Sequence, residues 1–172
     1  MWIVDPLDGT REFSEDGRAD WAVHVALWDG GRLTAGAVAL PALGVTLRTP
    51  DVAPAARAQG PPRVVVSRTR PPALAEAVRE RLGGELVAMG SAGAKIAAIV
   101  RGIADVYVHA GGQYEWDSAA PVAVAQAAGL HASRVDGSPL RYNQPGAWLP
   151  DVVVCRPELA AEVLAAAAGA AG

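Results

Sequence analysis

Two aspartates, Asp5 and Asp8, stand three residues apart around a proline and are followed at once by Gly9 and Thr10. The run comes after an apolar segment, which predicts a buried strand that ends in an acidic turn. Mg²⁺ prefers oxygen ligands, and the carbonyl of Leu7 can be a third one if the chain turns sharply here. The N–H groups of Gly9 and Thr10 can form an anion-binding concavity, and the Thr10 hydroxyl can orient a water. The pattern predicts hydrolysis of a phosphate ester, against the simpler interpretation of an acidic turn that caps a loop.

A second acid lies far along the chain, in the run Glu115-Trp116-Asp117-Ser118 before a predicted helix. Asp117 suits the N-cap of that helix, because Asp is among the best capping residues. In a hydrolase with metal ions about 3.5–4 Å apart, a distant acid has to complete the cation cluster. Asp117 is the candidate for that role, and we interpret Glu115 as a flanking surface charge.

The turn Gly90-Ser91-Ala92-Gly93-Ala94-Lys95 precedes an apolar helix. Ser91 predicts an N-cap, and the small residues predict close packing of the helix. Lys95 is a lone cation one turn into this helix. We expect it either to meet a second phosphate or a nucleoside edge, or to be a solvated lysine.

The remaining chemistry-bearing side chains favour structural interpretations. His24, His109 and His131 have no ligand spacing, so a zinc site is not expected. Cys155 lies in an apolar stretch and is expected to be buried and inert. A single cysteine also excludes an internal disulfide.

Composition limits the class of protein and its partners. The 172 residues are 51% hydrophobic and 19% charged, which predicts a soluble globular protein. A formal net charge of -3 gives no reason to expect a nucleic-acid polymer as partner. Acidic residues near the start argue against a signal peptide, and no uncharged apolar run approaches the roughly 18 residues of a membrane span. We therefore expect no membrane partner and a cytoplasmic location, and a homodimer stays open.

The secondary structure predicted to position these residues differs between the first and second halves of the chain. Residues 21–28 predict a strand buried on both faces, followed by a tight turn at 29–31. The Ala/Pro-rich stretch 50–62 predicts a linker, and beyond it strands and helices alternate, which predicts an α/β layer. We expect a single domain with a metal turn and antiparallel meander at 1–49, the linker, and a C-terminal α/β half at 63–172. The predicted strands are 32–40, 45–48, 63–67, 85–88, 105–109, 130–133 and 152–155, and the predicted helices are 72–82, 91–101, 118–128 and 157–168.

The three motifs, in this order, resemble the lithium-sensitive, magnesium-dependent phosphomonoesterases of the inositol monophosphatase superfamily. Asp5–Phe13 and the tail Gly137–Asn143 are most similar to the 3′(2′),5′-bisphosphate nucleotidases of the CysQ type. The resemblance implies an α/β fold, a layered α/β/α/β sandwich with two or three Mg²⁺ ions between its halves. It also implies removal of the 3′-phosphate from adenosine 3′,5′-bisphosphate, with the sulfated analogue as a second substrate, in sulfate assimilation.

The resemblance assigns roles to matching positions of this chain. It implies Asp8 and Thr10 as catalytic residues, with Gly9 and Thr10 holding the phosphate. The implied metal ligands are Asp5, the Leu7 carbonyl, Asp8 and Asp117. The implied substrate-binding residues are Leu7, Asp8, Gly9, Thr10, Gly90, Ser91, Ala92, Lys95 and Asp117.

One family feature is missing from the sequence. Members carry upstream helices and a Gly-Glu-Glu-type segment whose glutamate ligates metal, and Met1 opens directly into the strand that should follow them. We therefore expect an N-terminally truncated fragment or a mis-assigned start, with one face of a sheet uncovered. The alternatives are a phosphatase for inositol phosphate or fructose bisphosphate, and a non-catalytic fragment that binds metal or a partner chain.

Overall fold

The computed structural model describes residues 1–56, 59–69 and 73–170. The strands are β1 (Trp2–Asp8), β2 (Ala22–Asp29), β3 (Arg32–Leu40), β4 (Val45–Arg48), β5 (Arg63–Ser67), β6 (Glu85–Met89), β7 (Val106–Tyr114), β8 (His131–Ser133) and β9 (Trp148–Cys155). The α-helices are α1 (Thr10–Ser14), α2 (Ala73–Leu82), α3 (Ala92–Val100), α4 (Ala119–Ala127) and α5 (Ala160–Ala170). None of the described helices is long and apolar enough to cross a membrane.

The first sheet is an antiparallel meander in the order β1-β2-β3-β4. Gly30 and Gly31 both take positive φ between β2 and β3, which is the conformation that a tight hairpin turn requires. The predicted meander is therefore confirmed, and β1 extends it by one strand.

The strand at 21–28 is buried on one face, so the prediction of two buried faces is wrong. Ala22, His24 and Ala26 are buried, whereas Val25 is 37% exposed. In β1 the same alternation exposes 64% of Trp2 and 48% of Val4, so this strand is not fully buried either. Successive side chains of a strand point to opposite faces, and only the face toward the helices is covered by described residues.

The second sheet has the order β6-β5-β7-β9-β8. Strand β5 is parallel to both neighbours, while β9 is antiparallel to both of its own. Helix α2 lies between β5 and β6 in the chain and α3 between β6 and β7, as crossovers between parallel strands require. The predicted alternating α/β layer is confirmed.

Two hydrophobic clusters define the layers. One joins the inner face of the first sheet, helices α3 and α4, and one face of the second sheet. The other joins the opposite face of the second sheet to α2 and α5, and contains the fully buried Cys155, whose pKa burial raises to about 12. Counted from α2 and α5, the order is α/β/α/β, which confirms the predicted sandwich. Gly36 permits the close approach of α4, because a Cβ there would lie 2.7 Å from that of Ala123.

The predicted boundaries differ from the structure where irregular backbone intervenes. Strands β7 and β9 pair well beyond 105–109 and 152–155, because an irregularity between Ala110 and Gln113 lets the ladder continue. Helix α1 was not predicted. Pro72, expected to begin a helix, lies outside the described residues. In the predicted linker, the described residues 51–56 and 59–62 form no helix or strand.

Candidate active site

The end of β1 contains a bulge that places both of its aspartates on the inner face. Asp5 lies opposite His24 and Asp8 opposite Ala22, so three steps of β1 match two steps of β2. Positions three apart in a regular strand point to opposite faces, and the extra residue returns Asp8 to the face of Asp5. The Asp5 Oδ1 atom accepts the N–H of Leu7 at 3.0 Å, which fixes the carboxylate at the bulge.

Asp117 reaches the same place from the opposite half of the chain. It ends a 3₁₀ turn, Glu115–Asp117, ahead of α4, and its Oδ2 atom accepts the N–H of Tyr114 at 2.8 Å. Asp5, Asp8 and Asp117 each offer one oxygen, and the three atoms lie within 4.8 Å of one another. The N-cap position of α4 is Ser118, so the alternative interpretation of Asp117 as that cap is wrong.

Burial, and then the charges of neighbouring acids, disfavour the ionised forms of Asp5 and Asp117. Burial raises the pKa of Asp5, opposed by the Leu7 N–H and assisted by the charge of Asp8. Burial also raises the pKa of Asp117 to about 6, opposed by the Tyr114 N–H and assisted by Asp8 and Asp5. A hard divalent cation relieves such repulsion and prefers oxygen donors. The donor set therefore fits Mg²⁺.

Hydrogen bonds join Asp8 to the start of α3. Its Oδ2 atom accepts the hydroxyl of Ser91 at 2.5 Å and the N–H of Gly93 at 2.7 Å. The Ser91 Oγ atom in turn accepts the N–H of Ala94 at 2.9 Å. The predicted N-cap at Ser91 is confirmed, and the cap also positions an acid of the candidate site.

Gly90 is held by side chains that the sequence analysis did not identify. Its N–H donates to Asp20 Oδ2 at 2.5 Å, and Arg18 pairs with the same carboxylate. Burial pushes the pKa of Asp20 up, but the hydrogen bonds from Gly90 and Arg18 outweigh it and hold that pKa below its usual value. A Cβ at position 90 would lie 2.1 Å from Cδ of Glu12, so glycine is required for this packing.

Glu12 belongs to an ion-pair network that was also missed. Its Oε1 atom accepts from Arg68 Nη2 at 2.9 Å and from Arg68 Nε at 3.2 Å, and Glu15 accepts from the same Nη2 at 2.9 Å. The two carboxylates, Glu15 first, raise the pKa of Arg68. The network ties α1 to the residue after β5 and so fixes one wall of the site.

A cavity of about 430 Å³ opens beside these motifs. Residues of the motifs at 5–10 and 90–95 line it together with His109, for which a structural role was predicted. Four of the predicted substrate-binding residues, Leu7, Asp8, Ala92 and Asp117, are not among the described residues that line it. The lining residues are Gly9, Thr10, Arg11, Glu12, Ser67, Thr69, Gly90, Ser91, Lys95 and His109.

Lys95 is buried at the wall of this cavity, so the solvated-lysine alternative is wrong. Lys95 is 6% exposed, and its Nζ atom lies 5.3 Å from the ring centroid of Tyr107. Burial lowers the pKa of Lys95, opposed by nearby acids of which Asp8 and Glu12 are the strongest. A cation in this position can attract an anionic group of a ligand.

Glu115 is 3% exposed, so its interpretation as a surface charge is wrong. Its two carboxylate oxygens accept the N–H groups of Asn143 and Gln144 at 2.7 and 2.9 Å. Nearby, the hydroxyls of Ser118 and Tyr142 are hydrogen-bonded at 3.1 Å. These contacts attach the tail at 137–143 to the turn that carries Asp117.

Comparison with known proteins gives a match along the whole chain. A sequence profile described as the inositol monophosphatase family matches residues 1–68 and 62–171. A Mycobacterium bovis protein named 3′-phosphoadenosine 5′-phosphate phosphatase is 55% identical over 179 residues, covering 99% of this chain and 67% of the relative. The 3′(2′),5′-bisphosphate nucleotidase CysQ of Escherichia coli is 31% identical over 159 residues, covering 86% of this chain and 64% of the relative.

A solved structure agrees with these sequence relatives. CysQ from Bacteroides thetaiotaomicron, described as a bacterial member of the inositol monophosphatase family, superposes with a TM-score of 0.75 at 28% identity. The alignment covers 91% of this chain and 69% of that protein. The chain spans about two thirds of the length of the curated relatives that it matches.

Proposed function

The chain belongs to the inositol monophosphatase family, and we propose that it carries the metal- and phosphate-binding residues of a magnesium-dependent phosphomonoesterase. The observation that carries the proposal is the convergence of oxygens from Asp5, Asp8 and Asp117 within 4.8 Å of one another. Gly9 and Thr10 follow Asp8 directly and line the adjoining cavity. A phosphate held there would meet both backbone N–H groups and cations.

The proposed substrate is adenosine 3′,5′-bisphosphate, which would lose its 3′-phosphate, with the sulfated analogue as a second substrate. The name of the Mycobacterium bovis relative at 55% identity supports this choice. The cavity that contains Gly9 and Thr10 also contains Lys95, which offers a cationic partner for a second anionic group. Removing this nucleotide would place the protein in sulfate assimilation.

The chemistry follows from the positions of the side chains. Magnesium ions, when bound, would neutralise charge on the phosphate and activate water. Asp5, Asp8, Asp117 and the Leu7 carbonyl would hold the ions, while Ser91 keeps Asp8 in place. The Thr10 hydroxyl would orient the attacking water. As the water oxygen bonds to phosphorus, the bond to the 3′ oxygen breaks, and that oxygen leaves as an alcohol after taking up a proton.

Phosphate release from adenosine 3′,5′-bisphosphate by the unmodified protein, with Mg²⁺ or with EDTA, tests the proposal. Asp8→Asn is expected to lower kcat/KM by about 100-fold or more, because losing one charged ligand costs several kcal/mol of transition-state stabilisation. The matched control is Asp29→Asn, which changes an exposed acid at the hairpin and should leave the rate unchanged.

Two results would contradict the proposal. Magnesium-independent release, or equal rates for Asp8→Asn and the unmodified protein, would exclude the site. A higher kcat/KM for inositol phosphate or fructose bisphosphate would keep the site but overturn the substrate.

A further inference from the structure

His24 lies inside the candidate active site, although its spacing in the sequence predicts no role there. It is 1% exposed and stands opposite Asp5 in the β1–β2 pairing. Cross-strand partners project from the same face of a sheet, so the imidazole points from β2 into the interior beside the acids.

One ring nitrogen of His24 binds the turn that carries Asp117. Nδ1 lies 3.1 Å from the carbonyl oxygen of Trp116, 92 residues away in sequence. A backbone carbonyl can only accept a hydrogen bond, so Nδ1 carries the hydrogen and donates it. Trp116 immediately precedes Asp117, and this bond therefore fixes the backbone from which that carboxylate projects.

The other ring nitrogen faces the remaining two motifs. Nε2 lies 3.5 Å from Asp8 Oδ2 and has no hydrogen-bond partner among the described residues. A Cβ at position 93 would lie 1.9 Å from Nε2, so the missing side chain of Gly93 makes room for the ring. A single imidazole thus packs against the Asp8 turn, the start of α3 and the Trp116–Asp117 turn.

We propose that His24 is a positioning residue that sets the separation between Asp117 and the two aspartates of β1, through its bond to the Trp116 carbonyl. This inference rests on the proposed function, because the separation matters only if the three carboxylates share cations. Removing a group that orients a metal ligand without itself binding the metal commonly weakens metal affinity by about 10–100-fold. Without the Nδ1–H donor, the turn would lose its tie to β2.

Two substitutions of His24 separate this role from simple packing. In His24→Asn the amide nitrogen is attached to Cγ, as Nδ1 is, and can still donate to Trp116. His24→Leu fills similar volume without a donor. Calorimetric titration with Mg²⁺ should show binding weakened about 10–100-fold in His24→Leu and within about threefold of the unmodified protein in His24→Asn. His131→Leu is the control, since the hydrogen bond described for His131 is to Ser133 within β8.

The outcomes decide the proposal in each case. Equal Mg²⁺ affinity in His24→Leu and the unmodified protein would overturn it, as would equally weak binding in His24→Asn and His24→Leu. If His24→Leu does not fold, His24→Gln replaces it, because its amide nitrogen lies one bond farther out and does not reach the Nδ1 position. The His24→Gln protein must then bind Mg²⁺ more weakly than the His24→Asn protein, and equal affinity would overturn the inference.

The titration also distinguishes the failure of this inference from that of the proposed function. An unmodified protein that binds Mg²⁺ but hydrolyses no phosphate ester contradicts the function, while the ranking of the variants by Mg²⁺ affinity still tests the role of His24. Hydrolysis with unchanged affinities in every variant contradicts the inference alone.

Discussion

The Oδ2 atom of Asp8 accepts a hydrogen bond from the hydroxyl of Ser91 at 2.5 Å, although 83 residues separate the two in sequence. Asp8 ends the first strand of one sheet, and Ser91 caps α3 in the helix layer between the sheets. The same hydroxyl oxygen accepts the N–H of Ala94, so the acid is connected to the first turn of the helix. The geometry of the site therefore depends on how the middle layer packs, as well as on the acidic turn itself.

Replacing Asp117 by Asn should stabilise the metal-free protein at neutral pH. Burial raises the pKa of Asp117, and the charges of Asp8 and Asp5 add to this effect, whereas the hydrogen bond from the Tyr114 N–H lowers it. The result is a pKa raised from 3.8 to about 6. The folded state therefore binds this proton more tightly than the unfolded state. As pH rises from about 4 to 6 the ionised carboxylate becomes increasingly unfavourable for folding, and above that range its cost is constant.

Melting temperatures in EDTA at pH 4.5 and 7.5 measure this effect. Asp117→Asn should melt about 2–4 °C above the unmodified protein at pH 7.5, which corresponds to about 1 kcal/mol for a chain of this size. The difference should be much smaller at pH 4.5. Added Mg²⁺ should stabilise the unmodified protein and leave the variant nearly unchanged. A difference that does not vary with pH would contradict the assignment of a raised pKa.

Replacing Lys95 by Met should weaken binding of the bisphosphate. Lys95 is the chain's one lysine and lines the cavity beside Gly9 and Thr10. Met keeps an unbranched side chain for the packing against Tyr107 and removes the charge. We expect KM for adenosine 3′,5′-bisphosphate to rise about tenfold or more, which corresponds to about 1.4 kcal/mol.

The comparison substrate for this variant is adenosine 3′-monophosphate, which lacks the second phosphate. Its KM should change much less in Lys95→Met. An equal rise for both nucleotides would show that Lys95 does not contact the second phosphate. Circular dichroism of the variant checks that the fold is retained.

Gly90→Ala should destabilise the protein because of steric overlap. A Cβ there would lie 2.1 Å from Cδ and 2.2 Å from Cγ of Glu12, so the buried Glu12 would have to move and its pairing with Arg68 would weaken. Overpacking of this kind costs about 1–3 kcal/mol. Urea denaturation measures the loss, and Gly169→Ala in α5 is the control. Apart from its chain neighbours and the backbone of its own helix, no described atom lies within 4 Å of a Cβ at that position. Equal stability of the two variants would contradict the predicted clash.

Local patterns were enough to predict the parts of the site that are contiguous in sequence. Asp5, Asp8, Gly9 and Thr10 come directly after the apolar residues Trp2–Val4, and a serine before an apolar helix predicts its own cap. Asp117 was predicted to join this site because a two-metal hydrolase needs a distant acid and because the family resemblance implies it, since spacing alone does not bring together residues more than 100 positions apart.

Residues that support the site from other elements carried no local signal. Asp20 binds Gly90 across 70 positions and Arg68 binds Glu12 across 56, and isolated charged residues are most often on the surface. Glu115 was misinterpreted for the same reason, since its partners are backbone N–H groups in a later loop. In β2, apolar residues at successive positions suggested two buried faces, and no sequence pattern indicated that Val25 would be exposed.

The bulge between Asp5 and Asp8 has a consequence for the hydrophobic core as well. Side chains alternate strictly between the two faces along a strand. If the extra residue were removed and Asp8 kept its pairing with Ala22, every residue of β1 before the bulge would therefore point to the opposite face of the sheet. Ile3 and Asp5 would then point outward, and Trp2 and Val4 would be forced against the tightly packed middle helices. One irregular residue thus governs both the chemistry at the end of the strand and the choice of which apolar side chains enter the interior, so neither can be altered there without the other.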